Sequence, residues 1–173
     1  MGSLEKALKN YVTGSSRGWA LIRHSGIYDL ELLTGKIREW FLNRTYLMEE
    51  REHSEAVKTS GKELKFDIAA FRKVSDYVIF HIDIETVILR NLDILVEEDG
   101  KKVKKQQGDM DIRIKAYIGK NYQNTFKGGI QEFLRIIYER FIARSVLRNY
   151  RIKLSKETES LIEEIKEVLG MTK

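Results

Sequence analysis

The sequence predicts an α+β domain, an antiparallel meander of about five strands with helices packed on one face and a long carboxy-terminal helix. Three observations carry that prediction. Near Thr45 the apolar rhythm changes from every third or fourth residue to every second. Glycine-bearing turn signals separate the alternating stretches at short spacing. Amphipathic helical stretches flank the alternating region on both sides.

Leu4, Leu8, Tyr11 and Val12 share one helical face, which predicts a short helix over residues 4–12. Two glycines and two serines in residues 13–18 break it. The apolar run over residues 19–22 predicts an edge strand, completing an amino-terminal region of residues 1–28. Asp29 is placed to cap a helix over residues 29–43, whose Leu30, Leu33, Ile37, Trp40 and Phe41 recur at helical spacing.

Residues 45–119 read as the meander. Leu64, Phe66, Ile68 and Ala70 alternate with polar residues, as do Val78, Phe80, Ile82 and Ile84, then Leu92, Ile94 and Val96, then Met110, Ile112, Ile114, Ala116 and Ile118. Gly61 and the Asp99-Gly100 pair sit in hairpin turns, and Gly108 marks a third turn. Such short connections force antiparallel neighbours, and the alternation predicts one buried face and one that meets solvent or a partner. Two amphipathic helices are expected within residues 128–170, one over 131–149 and one over 156–169, the latter ended by Gly170. No repeat, low-complexity tract or linker divides the chain, so residues 1–173 read as a single domain.

The order helix, antiparallel meander, long terminal helix resembles the helix-grip arrangement over about residues 29–149. That resemblance implies a curved sheet wrapped around a terminal helix and a cavity between them. It rests on element order and transfers no functional residue.

With 173 residues, 42% of them apolar, the chain can bury one sizeable core without metal or disulfide support. The absence of cysteine excludes disulfides, thiolate metal sites and cysteine nucleophiles, and fits a reducing, cytoplasmic setting. No run approaches the roughly 18 apolar residues of a membrane span, and the amino terminus lacks the apolar core of a signal peptide. Charged residues make up 33% of the chain and proline is absent. The charge content resembles that of thermophile proteins rich in ion pairs.

Charge is unevenly spread. Residues 46–99 hold 7 basic against 13 acidic residues, a net of −6, and residues 100–151 hold 13 against 4, a net of +9. The basic half has two parts: the hairpin lysines Lys101, Lys102, Lys104 and Lys105, and a ridge of Arg140, Arg144, Arg148 and Arg151. Spacings of four, four and three confine the ridge to a stripe about 80° wide on a helix. Guanidinium forks so aligned suit phosphates, so contact with nucleic acid or another polyanion is one expected function. The alternative use of the same charges is pairing with the acidic strands through Glu49, Glu50, Glu52, Glu55, Glu97 and Glu98.

A second expected function is a carrier or sensor of a small apolar ligand, with Trp40, Phe41, Phe133 and Phe141 lining the pocket. A third is a homo-oligomeric scaffold in which opposite charges of neighbouring molecules meet. His81, Asp83 and Glu85 share one strand face, and His53 and Glu55 share another; convergence of the two would make a metal or acid–base cluster. Their spacing matches no diagnostic ligand pattern, and a solvated face of cross-strand ion pairs is the reading preferred for them. Residues 14–18 match Gly-x-Ser-x-Gly without the buried strand and helix a nucleophile elbow requires. No phosphate-loop, dinucleotide or zinc-protease motif occurs. The sequence therefore implies no cofactor, no resident metal and no catalytic residue.

Overall fold

The computed structural model describes residues 10–11, 19–58, 61–75, 77–98, 100–120 and 143–171. An antiparallel sheet of six strands comprises β1 (Asn10–Tyr11), β2 (Ala20–Tyr28), β3 (Leu47–Lys58), β4 (Gly61–Lys73), β5 (Val78–Glu98) and β6 (Lys101–Lys120). Two helices, α1 (Leu30–Asn43) and α2 (Ala143–Val168), pack on one face of it. The predicted class, α+β with an antiparallel meander and a carboxy-terminal helix, is the observed one.

Across the sheet the strands run β3-β4-β5-β6, and β2 and β1 both lie along the outer edge of β6. Strands β2 and β3 thus occupy opposite edges, and α1 carries the chain between them. The Asp29 side chain accepts a hydrogen bond from the Leu32 amide at 2.8 Å and starts α1 as the sequence predicts. The buried stripe Leu33, Ile37, Trp40 and Phe41 then faces the sheet. Ile82, Ile84 and Ile88 of β5 and Ile112, Ile114 and Ile118 of β6 complete that core with Leu154, Leu161 and Ile165 of α2. Each such fully buried aliphatic side chain contributes roughly 1.5–3 kcal/mol from burial.

Several boundaries differ from expectation. Asn10 and Tyr11 belong to a strand, because they pair with Ile118 and Tyr117 where the β6 edge continues beyond β2. The edge strand expected over residues 19–22 extends to Tyr28. The described part of the carboxy-terminal region is one helix through residues 149–156, where two helices are predicted. No glycine or proline interrupts those residues, so the backbone ladder runs on. Gly170, at φ +65°, ends the packed segment, and the Met171 amide donates to the Lys166 carbonyl at 2.8 Å. Residues 4–9 and 12 of the helix expected over 4–12, and the turn at 13–18, lie outside the described residues.

Leu92, Ile94 and Val96 do not form a strand of their own, and Gly108 is not a turn. Both lie in one long hairpin, interrupted where Arg90 and Asn91 of β5 oppose Gly108 of β6. This bulge holds Arg90 at φ +56°, and Asp109 secures it by accepting from Arg90 Nε at 2.7 Å and Ser25 Oγ at 2.6 Å. The buried Asn91 accepts from the Tyr28 hydroxyl at 2.9 Å. Beyond the bulge the pleat is inverted. Leu92, Ile94 and Val96 pair with Gln107, Lys105 and Val103, on the face opposite to Ile84, Ile88 and Met110. Residues 92–105 project past both neighbouring strands as a two-stranded arm with Leu92 and Leu95 exposed.

The other face of the sheet is only partly solvated. Phe71, His81 and Tyr117 stand in one row across β4, β5 and β6, and His81 stacks on Tyr117 at 4.8 Å. Gly119 makes room, since a Cβ there would approach Ile79 Cγ2 at 2.6 Å. Further along, Lys115 pairs with Glu85, and Arg23 with Asp111. These are cross-strand partners of the kind that stabilise a pleated face.

One polar cluster joins the two helices to the sheet. Arg72 of β4 donates twice from Nη2 to the Glu157 carboxylate of α2, both at 2.8 Å, and from Nη1 to the Arg44 carbonyl at 2.9 Å. Tyr46 donates to the same carboxylate at 2.8 Å, and the Arg72 guanidinium lies 4.5 Å from the Tyr46 ring centroid.

Two outcomes are expected. An Arg72→Met change should destabilise the domain by about 3 kcal/mol or more, since it strands a carboxylate that is 16% exposed. Adding Glu157→Leu should recover much of that loss, measured as a double-mutant cycle by denaturant unfolding. Gly108→Ala should cost about 1–3 kcal/mol, because its Cβ would meet the Leu89 carbonyl at 2.8 Å. Urea midpoints report it.

Candidate ligand cavity

Helix α1 leaves a gap against the β3 edge. Leu30, Glu31, Thr34 and Arg38 lie on α1 beside its core stripe, within a sector roughly 100° wide. They face Met48, Glu50 and His53 of β3 and Phe66 and Ile68 of β4 across a cavity of about 430 Å³. Asp67 and Gln106 complete the lining.

Local irregularity decides which β3 side chains reach it. Strand β3 pairs Glu50 with Ile68 and then Glu52 with Asp67, so Arg51 is an extra residue. The shift aligns His53 with Phe66, on the helix-bearing face. Without the bulge, simple alternation from Met48 and Glu50 would place Glu52 there instead.

The floor is apolar, from Leu30, Met48, Phe66 and Ile68, and the rim is polar. Arg38 Nη2 bridges helix and edge strand by donating to Glu50 Oε1 at 3.1 Å. Gln106 Oε1 accepts from the Leu30 amide at 3.1 Å, which ties the start of α1 to β6. The Thr34 hydroxyl donates to the Leu30 carbonyl at 2.8 Å. Glu31 and His53 are exposed and engage no side chain among the described residues.

No protein-family model matches the chain, and neither a curated protein nor a solved structure matches it.

The residues singled out in the sequence are distributed as follows. Trp40 and Phe41 pack edge-to-face at 5.3 Å inside the core, against Tyr46, and do not line the cavity. Phe133, Phe141 and Arg140 lie outside the described residues. Arg144 stands in the first turn of α2, and Arg148 and Arg151 are on its exposed surface. The four hairpin lysines all face carboxylates across the arm. Lys101 is opposite Glu98 and Lys102 opposite Glu97, Lys104 bonds Asp93 at 3.1 Å, and Lys105 pairs with Glu98. The Lys104 hydrogen bond, followed by that from Gln106, holds the Asp93 carboxyl below the usual range.

His53 and His81 do not converge. Strand β4 separates their strands, and His53 is on the helix-bearing face whereas His81 is on the other. The Gly-x-Ser-x-Gly stretch is outside the described residues.

Sequence reasoning missed Thr34, Arg38, Glu50 and Gln106 as cavity residues. The one available signal is the four-residue spacing of Leu30, Thr34 and Arg38 beside the apolar stripe, which does not distinguish a cavity wall from a solvated flank.

Two phenols next to these elements are displaced from their ordinary range. Burial, with Asp109 and Asp93 nearby, pushes Tyr28 up to about 12. Burial first and the Glu157 charge second raise Tyr46 further. An unfolded phenol ionises near ~10, so above that pH the unfolded chain releases protons that the folded chain retains. Stability should be complete below pH ~10 and fall as pH rises toward ~12. Circular dichroism with tyrosinate absorbance across that interval tests this, and Tyr46→Phe should flatten the decline.

Proposed function

We propose that this domain is a carrier or sensor that holds a small organic ligand, apolar over most of its surface, between α1 and the β3–β4 edge of the sheet. The single observation that supports this reading best is the cavity of about 430 Å³ with an apolar floor and a polar rim. That volume lies in the range of small-molecule sites, roughly 300–1,000 Å³. Contact with nucleic acid or another polyanion has less support, because each hairpin lysine already faces a carboxylate of its own arm. A ligand would lie on Phe66 and Ile68, with its polar end toward Arg38, Glu50 and His53.

Titration with the neutral fluorophore phenylnaphthylamine tests the proposal. Saturable enhancement is expected, and Ile68→Trp, which fills the floor, should weaken it at least about tenfold, the equivalent of losing a well-packed apolar contact. Equal responses from both proteins, or no response from the original, would sink the reading.

A further inference from the structure

We infer that the ligand is an organic cation, an amine or quaternary ammonium group carried on an apolar body. This rests on the cavity reading above and assigns the chemistry of its rim.

Two features beside the cavity supply fixed positive potential, and both are already engaged. Arg38 is the one arginine or lysine lining it among the described residues, and its guanidinium is bonded to Glu50. The amino terminus of α1 is the second, since unpaired amides at a helix start favour negative charge. Here the Leu30 amide donates to Gln106, the Leu32 amide to the Asp29 carboxylate, and the Leu33 amide to the Asp29 carbonyl. An incoming carboxylate or phosphate would have to displace these partners.

The carboxylates are more numerous. Among the described residues Glu31 and Glu50 bring carboxylates to the cavity against Arg38, and with Glu50 bonded to Arg38 the Glu31 carboxylate, which engages no side chain, is left over. Residues 47–73, which hold β3 and β4, balance six acidic against six basic residues, so the preference for a cation rests on Glu31 at the rim. An ammonium group near Glu31, with its apolar body on Leu30, Met48, Phe66 and Ile68, satisfies both halves of the lining.

The test compares phenylbutylamine, phenylbutanol and phenylbutyrate as competitors of bound phenylnaphthylamine. At low salt the amine should bind about five- to tenfold more tightly than the carboxylate, as expected for one partly exposed ion pair, with the alcohol between them. Added salt should shrink the difference. Glu31→Gln should remove at least half of the amine's advantage and leave the alcohol and the fluorophore unchanged. Arg38→Met, which releases Glu50, should increase that advantage. A carboxylate that binds as well as the amine, or an advantage untouched by Glu31→Gln, overturns the cation assignment while the cavity reading stands. Failure of the fluorophore itself overturns both.

Discussion

The arrangement depends on the contact of Arg72 with Glu157. One guanidinium from β4 meets one carboxylate from α2, and the Arg44 carbonyl and Tyr46 hydroxyl at the end of α1 join the same cluster. Two charges so little exposed are costly to remove from water unless their bonding capacity is filled. Here two bonds from one guanidinium nitrogen to both carboxylate oxygens, a backbone acceptor and a phenol fill it. Because the partners come from three places in the chain, the end of α1, β4 and α2, the cluster fixes where both helices lie on the sheet. Trp40 and Ser160 extend the junction through a hydrogen bond at 3.4 Å.

Pinned at that end, α1 is held at its other end by Asp29 and Gln106. Between the two anchors its core stripe meets the isoleucines of β5 and β6 and packs closely. The helix flank that faces β3 finds polar partners instead, because β3 offers Glu50, His53 and Glu55 on its helix-bearing face. Charged side chains so placed reach for water and do not fill the interior. The cavity is therefore a result of composition at the sheet edge: the sheet is apolar at its centre and acidic at its margin, and the helix bridges both.

Two bulges direct side chains that alternation alone would place elsewhere. The one at Arg51 moves His53 to the cavity rim. The one at Arg90 and Asn91 inverts the pleat and turns Leu92, Ile94 and Val96 to the far side. Within the arm thus formed the acidic strand and the basic strand lie side by side. Much of the charge asymmetry between the two halves of the chain cancels across that single hairpin.

Much of the architecture was legible in the residues alone. Period-two alternation in β4, β5 and β6, the Asp29 cap, the Gly61 and Gly100 turns and the Gly170 stop are local signals, each set by backbone geometry within a few residues. The bulges were not legible, because an extra residue is recognisable only against the strand it fails to match, and Gly108 reads as a turn until Asn91 is seen opposite it. Nor was the pairing of Arg72, Glu157 and Tyr46, whose members are separated by up to 111 residues. The sequence by itself determined which faces are apolar and where charge of each sign accumulates. Only the tertiary structure decided which charges neutralise each other and where packing stops short, since both depend on distances between segments remote along the chain.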